Sequence, residues 1–240
     1  SQVSTKIGFI NFMSMLDNQS SIFIIAGMHR SGTSLTASLL QSMGVDIGQR
    51  LVGSTYGNIK GRFENIDFID FHKEVLRSQG IDEQGFTVQN DIPIPEFYLE
   101  KAQEIVRKNS HNPLWGWKDP RTTLFLDFWI KLLPTANFIF VYRSPWEVVD
   151  SLYRRSTDEI IMNQPEMAVK AWIHYNQKVL EFYDRFPERC ILASVYTISN
   201  YTQEFAKVIH KKFAVQLEAV KSDIFEAKLL ETEISKTHRP

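Results

Sequence analysis

The chain has 240 residues and a formal net charge of −1 at pH 7, and 43% of its residues are hydrophobic, 12% aromatic and 23% charged. This length fits one domain of above-average size, and the composition is that of a globular protein rather than a disordered or fibrous one. A net charge so close to zero argues against generic binding to nucleic acid or anionic membranes, so any anion site must be local.

The cysteine content and the apolar runs bear on the cellular location. Cys190 is the single cysteine and opens the apolar run of a predicted strand, so we expect no internal disulfide and a buried, unreactive thiol. No run approaches the ~20 apolar residues that span a bilayer. Residues 7–16 are apolar but lack the basic flank and cleavage site of a signal peptide. We therefore expect a cytoplasmic protein.

Hydrophobic periodicity predicts strands that alternate with helices through most of the chain. Residues 1–20 lack clear periodicity and are expected to form an N-terminal arm or short helix, with one domain at residues 21–240. The alternation is typical of an α/β fold with a central parallel sheet flanked by helices. The predicted strands cover residues 22–26, 114–118, 137–142 and 191–196, and the predicted helices cover residues 34–43, 63–79, 96–108, 122–133, 146–155, 166–186, 201–212 and part of 216–230.

Turn-forming residues predict three long loops, at residues 46–62, 80–95 and 157–165. Long loops in compact domains often carry function, and substrate pockets are commonly built from them. The helix predicted after the first loop carries Glu64 and Asp67 in its first turn. We expect these loops to form the substrate pocket.

An apolar strand runs into a small-residue turn and then into a helix over residues 22–40. Gly27 and Gly32 bracket four residues, as in the nucleotide-binding pattern Gly-x-x-x-x-Gly-Lys-Ser/Thr. Backbone N–H groups and the positive end of a helix dipole meet in such a turn, so it can hold an anion. Thr33 stands where that pattern has lysine, and the nearest cation is Arg30 inside the loop. We therefore predict a phosphate site that departs from the usual nucleoside triphosphate pattern.

A second polar element follows the strand predicted at residues 137–142. Arg143 comes directly after that strand, and Ser151 lies eight residues later on a helix that begins near Pro145. The forked, permanently charged guanidinium suits a phosphate dianion, and a serine hydroxyl could add a donor. An arginine at a strand end is more often an ion-pairing residue, but together with the loop it indicates a second phosphate contact.

These two elements resemble those of the sulfotransferases that use 3′-phosphoadenosine 5′-phosphosulfate (PAPS). The 5′-phosphosulfate loop of that family has the pattern Lys/Arg-Ser-Gly-Thr-Thr/Ser, which matches the run from Arg30 to Ser34. Its 3′-phosphate element is an Arg followed eight residues later by a Ser, which matches Arg143 and Ser151. The segments GRFENIDFIDF and WGWKDPR are similar to those of bacterial members. The resemblance implies a P-loop-like sulfotransferase fold for residues 21–240.

The resemblance also implies roles for individual residues. Arg30 would neutralise charge on the leaving oxygen, and Glu64 and Lys118 would complete the catalytic set. Because PAPS has no γ-phosphate, a lysine at the position of Thr33 is not required, and no metal ion is expected. The implied donor-binding residues are His29, Arg30, Ser31, Gly32, Thr33, Ser34, Arg143 and Ser151.

The proton acceptor for the incoming hydroxyl is a choice among four side chains. Glu64 is the first candidate, because it follows a glycine-rich loop and the resemblance places a carboxylate in this region in several members. An acidic residue at a helix N-terminus is equally explained by the helix dipole. Asp119, His29 and His72 are the alternatives.

Two cations flank one of these candidates. Lys118 and Arg121 lie beside Asp119 in the sequence. They could steady the sulfonate or the acceptor, or they could form an ion-pair cluster around Asp119.

The sequence therefore predicts in-line transfer of a sulfonate from PAPS to an acceptor hydroxyl, or less favourably an amine, with adenosine 3′,5′-bisphosphate as the second product. A carbohydrate or a small-molecule alcohol is the expected acceptor, with no nucleic acid or membrane partner, and the oligomeric state is left open. One alternative is a P-loop kinase, against which Thr33 argues. The other is a nucleotide-binding module without catalysis.

Overall fold

The strongest apolar runs of the sequence form a parallel β-sheet. The computed structural model describes residue 12 and residues 20–48, 63–155 and 157–220. Within these ranges the strand order is β2-β1-β3-β4, and each neighbouring pair is parallel. The strands are Ser21–Ala26 (β1), Leu114–Lys118 (β2), Asn137–Tyr142 (β3) and Cys190–Ser194 (β4). The predicted α/β fold with a central parallel sheet is confirmed.

The strand order places a crevice next to β1. The chain goes from β1 to β2 on one side, then crosses back to β3 on the other side. Ile25 pairs with Lys118 and with Ile139, so the carboxyl ends of all three strands lie at the same edge. In open α/β sheets a ligand binds where the winding direction reverses, at the carboxyl ends of the strands. Here that point lies between β1 and β3.

Helices cover both faces of the sheet. The side chains of β1 therefore alternate between two apolar clusters, one on each face. Ile22 and Ile24 belong to the larger cluster, and Phe23 and Ile25 belong to the second one. Such burial on both faces explains why the strand has no polar alternation. The α-helices of the described residues are Thr33–Ser42 (α1), Ile66–Ser78 (α2), Leu99–Asn109 (α3), Leu126–Leu132 (α4), Pro145–Arg155 (α5), Glu159–Asn163 (α6), Met167–Arg185 (α7), Val195–Asn200 (α8) and Thr202–Phe213 (α9), with 3-10 helices at Glu96–Tyr98, Pro120–Phe125 and Pro187–Arg189.

The start of α2 differs from the prediction, and the difference matters for Glu64. The helix begins at Ile66, because the side chain of Asn65 accepts a hydrogen bond from the Asp67 N–H at 3.0 Å and caps it. Phe63 has a φ of 51°, outside the helical region. The prediction that Glu64 lies in the first turn was therefore wrong: Glu64 precedes the helix.

Two further boundaries depend on side-chain caps. The predicted helix at residues 122–133 begins as a 3-10 helix at Pro120, where the Asp119 side chain accepts from the Arg121 N–H at 3.1 Å. The strand predicted at residues 191–196 ends at Ser194, whose hydroxyl caps α8. Both corrections follow from local capping that hydrophobic periodicity does not detect.

Some predictions fall partly or wholly outside the described residues. These are the arm at residues 1–20, most of the loop at residues 46–62, and the C-terminal helix beyond residue 220. In the arm, only Phe12 and Ser20 are described, and Phe12 is buried in the larger cluster. In the predicted loop at residues 157–165, α6 forms a short helix. None of the helices in the described ranges combines the length and the apolar content that a membrane crossing needs.

Candidate functional site

The phosphate loop, defined as residues 27–32, leads from β1 into α1 at the edge where the crevice lies. It contains three residues with positive φ: Gly27 at 133°, Arg30 at 65° and Gly32 at 96°. A left-handed conformation at a non-glycine residue such as Arg30 costs ~1–3 kcal/mol and is typical of functional sites. Gly32 caps α1 without any side-chain hydrogen bond, and the first turn carries no acidic residue. The helix N-terminus therefore keeps its positive electrostatic potential.

Close packing explains both glycines of the loop. A Cβ atom on Gly27 would lie 2.3 Å from the carbonyl oxygen of Val141, and one on Gly32 would lie 2.2 Å from Cγ2 of Val195. The Gly27 N–H also donates to Oγ1 of Thr123 at 2.9 Å. The loop is thus fixed against β3, α8 and the 3-10 helix at Pro120–Phe125.

Ser31 supplies a polar group with an unusual environment. Ser31 is fully buried, and its Oγ has no hydrogen-bond partner within the described part of the chain. Buried hydroxyls normally have a partner, and one left without it costs free energy. An anion at the N-terminus of α1 would fit this hydroxyl, because phosphate oxygens accept hydrogen bonds.

The two predicted phosphate elements meet in space. Nε of Arg30 donates to Oγ of Ser151 at 3.0 Å, although the residues are 121 positions apart. A nitrogen of the Arg143 guanidinium lies 3.5 Å from the carbonyl oxygen of Arg30, and another lies 3.5 Å from a carboxylate oxygen of Glu147. Arg143 is 2% exposed. The structure therefore brings Arg30, Arg143 and Ser151 into one cluster.

Neighbouring side chains hold this cluster in place. The indole N–H of Trp172 on α7 donates to the Arg143 carbonyl at 3.0 Å. Glu147 also accepts a hydrogen bond from the Tyr196 hydroxyl. Nothing in the sequence pattern singles out Glu147, Trp172 or Tyr196, since they come from three different helices.

Glu64 and Lys118 form a buried ion pair beside the phosphate loop. Nζ of Lys118 lies 2.8 Å from Oε1 of Glu64, with side chains that are 3% and 10% exposed. Burial raises the pKa of Glu64, but the charge and hydrogen bond of Lys118 outweigh it, so this pKa lies below its ordinary value. Burial lowers the pKa of Lys118, and Glu64 offsets this only in part. Two of the three side chains predicted as catalytic, Glu64 and Lys118, are therefore partners.

Asp119 is the hub of a second buried cluster. Its Oδ1 accepts from the Arg121 guanidinium at 2.8 Å, and its Oδ2 lies 2.7 Å from Nδ1 of His72. Burial raises the pKa of Asp119, but the charge of Arg121 and the hydrogen bond of His72 hold it well below its usual range. Of the two cations predicted to form an ion-pair cluster around Asp119, Arg121 pairs with Asp119, whereas Lys118 pairs with Glu64.

The protonation of His72 follows from its two partners. Trp129 Nε1–H donates to Nε2 of His72 at 2.9 Å, so this nitrogen accepts and the proton lies on Nδ1, where it is donated to Asp119. His72 and Asp119 are both 0% exposed. Neither can contact an acceptor molecule in this arrangement, which disfavours both as the proton acceptor.

His29 lies in the phosphate loop next to Arg30. Its Nε2–H donates to the carbonyl oxygen of Gln84 at 2.7 Å, and its ring contacts the ring of Phe86 with centroids 5.1 Å apart. Burial, and then the positive charge of Arg121, lowers the pKa of His29 to about 4. His29 is therefore neutral at physiological pH.

The segment of residues 83–85, here called the strap, lies against this part of the site. Arg121 donates to the carbonyl oxygen of Glu83 at 2.9 Å, and the Tyr175 hydroxyl donates to that of Gly85 at 3.0 Å. The sequence predicted a loop here but did not indicate its partners, because they come from α7 and from the turn after β2.

A metal site was not expected from the sequence. The described residues contain no group of three or more His, Cys, Asp or Glu side chains placed to hold a metal ion. The expectation of metal-independent chemistry stays a prediction.

Comparisons with known proteins identify the family and the fold of the chain. A sequence profile described as Sulfotransferase family matches residues 22–196. Comparison with curated protein sequences gives no significant match.

The solved structures with a similar fold include three sulfotransferases. STF9 from Mycobacterium avium has a TM-score of 0.57 at 12% identity, covering 92% of this chain and 70% of that one. The sulfotransferase domain from the olefin synthase of Synechococcus PCC 7002 has a TM-score of 0.53 at 19% identity, covering 88% and 82%. The sulfotransferase domain from the curacin biosynthetic pathway has a TM-score of 0.52 at 14% identity, covering 85% and 76%.

The structural similarities establish the fold, and the profile match spans well over half of the sequence, including the phosphate loop, the Glu64–Lys118 pair and the Arg143–Ser151 element. This chain belongs to the sulfotransferase family.

Proposed function

We propose that the protein transfers a sulfonate group from PAPS to an acceptor hydroxyl. The observation that carries this proposal is the 3.0 Å hydrogen bond between Arg30 and Ser151, which joins the two predicted phosphate elements across the crevice. A single phosphate loop would suit many nucleotides. Two anion-binding elements on adjoining strand ends suit a nucleotide with phosphates at both the 5′ and the 3′ position.

The phosphate loop holds the 5′-phosphosulfate in this proposal. The backbone N–H groups at the start of α1 and the hydroxyls of Ser31, Thr33 and Ser34 donate to its oxygens. Arg143 and Ser151 recognise the 3′-phosphate, and His29 lies at the edge of the donor site. The buried Ser31 hydroxyl supports this placement, because an anion there would supply its missing acceptor.

The reaction is an in-line displacement at sulfur. The acceptor oxygen forms a new S–O bond while the bond from sulfur to the bridging oxygen of the 5′-phosphate breaks, and the electron pair stays on that oxygen. Arg30 stabilises the charge that develops there; electrostatic stabilisation of this kind is commonly worth ~3–4 kcal/mol.

Glu64 takes the acceptor proton in this mechanism. It is an ionised carboxylate, and Lys118, 2.8 Å away, holds it in position. A depressed pKa makes Glu64 a weaker base, so the hydroxyl must lose its proton late, as sulfonate transfer proceeds. His29 is the alternative base, since it is neutral at physiological pH.

A titration with two nucleotides tests the donor. We expect adenosine 3′,5′-bisphosphate to bind more tightly than ATP with Mg²⁺, because the site provides a second anion contact and has Thr33 where an ATP site has lysine. Calorimetry without any acceptor measures both affinities. Tighter binding of ATP would refute the proposal and favour the kinase alternative.

An arginine variant tests the 3′-phosphate contact. Arg143→Ala should weaken the bisphosphate by about 10- to 100-fold, the value of a charge-assisted hydrogen bond, with a much smaller effect on adenosine 5′-phosphate. Arg154→Ala is the matched control, because Arg154 lies on α5 and pairs with Asp150 at 2.9 Å near the surface. Equal losses for both nucleotides would contradict the role of Arg143.

The acceptor is proposed by resemblance alone, as a carbohydrate or small-molecule alcohol, and a cytoplasmic location is proposed with it. Incubation of PAPS with a panel of alcohols, followed by mass spectrometry for an added sulfonate, identifies the class. Bisphosphate binding without any sulfonated product across the panel would favour a nucleotide-binding module.

A further inference from the structure

The strap is held by side chains from three separate parts of the fold. Each of its three consecutive backbone carbonyls accepts one side-chain hydrogen bond. The pairs are Arg121 Nε with Glu83 O at 2.9 Å, His29 Nε2 with Gln84 O at 2.7 Å, and Tyr175 Oη with Gly85 O at 3.0 Å. Such complete use of consecutive carbonyls fixes the backbone path of the strap.

His29 differs from the other two donors in where it is placed. Arg121 lies in the turn after β2 and Tyr175 lies on α7, whereas His29 belongs to the phosphate loop, one residue before Arg30. Of these three hydrogen bonds, only that of His29 connects the strap directly to the loop that binds the donor in our proposal.

The strap also lies close to the residues proposed for the chemistry. Arg121, which holds Glu83, pairs with Asp119, and Asp119 directly follows Lys118. Glu64 and Arg121 both act electrostatically on His29. The strap therefore borders the side of the site where an acceptor must meet Glu64.

The chemistry of His29 suits a fixed connection. Its Nε2 carries the proton that the Gln84 carbonyl accepts, and its ring contacts those of Phe86 and Tyr175, with centroids 5.1 and 6.0 Å away. A neutral imidazole keeps this single proton and does not bring a second positive charge next to Arg121.

We infer that His29 is a positioning residue that transmits donor binding from the phosphate loop to the strap and thereby shapes the acceptor side of the site. A donor that orders the loop also orders the strap through the His29–Gln84 hydrogen bond. This inference rests on the proposed function, because it takes residues 27–32 as the nucleotide site; the connection between nucleotide and strap does not require an acceptor.

Hydrogen exchange of the strap tests the connection with adenosine 3′,5′-bisphosphate as the probe. The amides of Gly85 and Phe86 are suitable reporters, because they donate to Asp82 at 2.9 and 3.1 Å. In the wild type, saturating bisphosphate should slow their exchange by about three- to tenfold, the range expected for strengthening one hydrogen bond.

Three variants separate the connection from simple packing. His29→Phe keeps a ring and removes the donor, so the nucleotide should no longer slow exchange. His29→Gln keeps an N–H donor and should restore the response. Tyr175→Phe removes the neighbouring hydrogen bond from α7, so basal exchange should rise while the response to nucleotide persists.

The outcomes that overturn the inference are specific. The inference is overturned if the bisphosphate slows strap exchange in His29→Phe as much as in the wild type. It is also overturned if saturating bisphosphate does not slow strap exchange in the wild type. Failure of His29→Phe to bind the bisphosphate would make His29 a donor ligand instead. If His29→Phe does not fold, His29→Met serves as the variant without a donor. Failure of the wild type to bind the bisphosphate at all would refute the proposed function, a separate result.

Discussion

At the scale of single residues, the buried charges of Glu64 and Lys118 each depend on the other for compensation. Each charge is nearly removed from water, and each is compensated by the other at 2.8 Å. Removing one partner from such a pair is far more costly than its net contribution to stability, because an uncompensated charge stays behind. The pair therefore links the stability of the fold to the geometry of the candidate site.

Replacing Lys118 by Met should destabilise the protein by ~3–5 kcal/mol, since Glu64 is left buried without its cation. The double variant with Glu64→Gln should recover part of this loss. The control is Lys101→Met, which breaks a surface pair with Glu74 in which both side chains are more than 40% exposed, and should cost less than ~1 kcal/mol. Urea denaturation measures all three. A loss for Lys118→Met no larger than that of the control would contradict the importance of this pair.

His29 should contribute to the acid sensitivity of the fold. Its pKa is about 4 in the folded protein against an ordinary value of 6.5, so below pH 6.5 the unfolded chain binds more protons than the native state. The sign of the linkage then makes stability fall as the pH drops from 6.5 towards 4. Urea midpoints at several pH values should show a smaller acid loss in His29→Phe than in the wild type. Identical pH profiles would mean that His29 titrates normally in the fold.

At the scale of elements, the phosphate loop is organised by its two glycines. Gly27 and Gly32 combine positive φ with neighbours closer than any Cβ atom tolerates. Their role is to bring the backbone against β3 and α8, which places the N-terminus of α1 at the crevice. Arg30 and Ser31 take their positions from this packing.

An alanine series should separate backbone strain from steric overlap. Gly80 has a φ of 68° but no atom within 4 Å of the position that a Cβ would occupy, so Gly80→Ala should cost only the ~1–2 kcal/mol of a left-handed alanine. Gly27→Ala should cost clearly more, because its Cβ would lie 2.3 Å from the Val141 carbonyl oxygen. Thermal unfolding gives both values. Equal shifts in Tm would show that the loop can move away from β3.

At the scale of the whole molecule, the sheet separates two apolar clusters and buries β1 on both sides. Cys190 opens β4 and is fully buried in the larger cluster. Burial raises the pKa of its thiol to about 12. The predicted unreactive thiol is consistent with this environment, because the nucleophilic thiolate is scarce at neutral pH.

Cys190 should therefore report global unfolding. At pH 8 an aromatic disulfide reagent should react with the native protein only through rare opening of the fold, and rapidly once urea unfolds it. The urea concentration at the midpoint of Cys190 labelling should match the urea concentration at the midpoint of the loss of tryptophan fluorescence. Fast labelling without denaturant would show that β4 opens locally.

Much of the fold could be predicted from the sequence, because local patterns carry it. The strands at residues 114–118 and 137–142 have the predicted bounds, since continuous apolar runs are sufficient to define buried strands. The early start assigned to α2 and the long strand assigned at residues 191–196 were wrong, since Asn65 and Ser194 cap helices through single hydrogen bonds.

The sequence by itself determined the phosphate loop, the Arg143–Ser151 spacing and the family, because these depend on residue types at fixed separations along the chain. Only the tertiary structure decided that Glu64 pairs with Lys118, that Asp119 joins Arg121 to His72, and that His29 reaches the strap. Those contacts connect residues that are mostly tens of positions apart. Their geometry is fixed by the parallel sheet, whose crossovers bring distant strand ends to one edge.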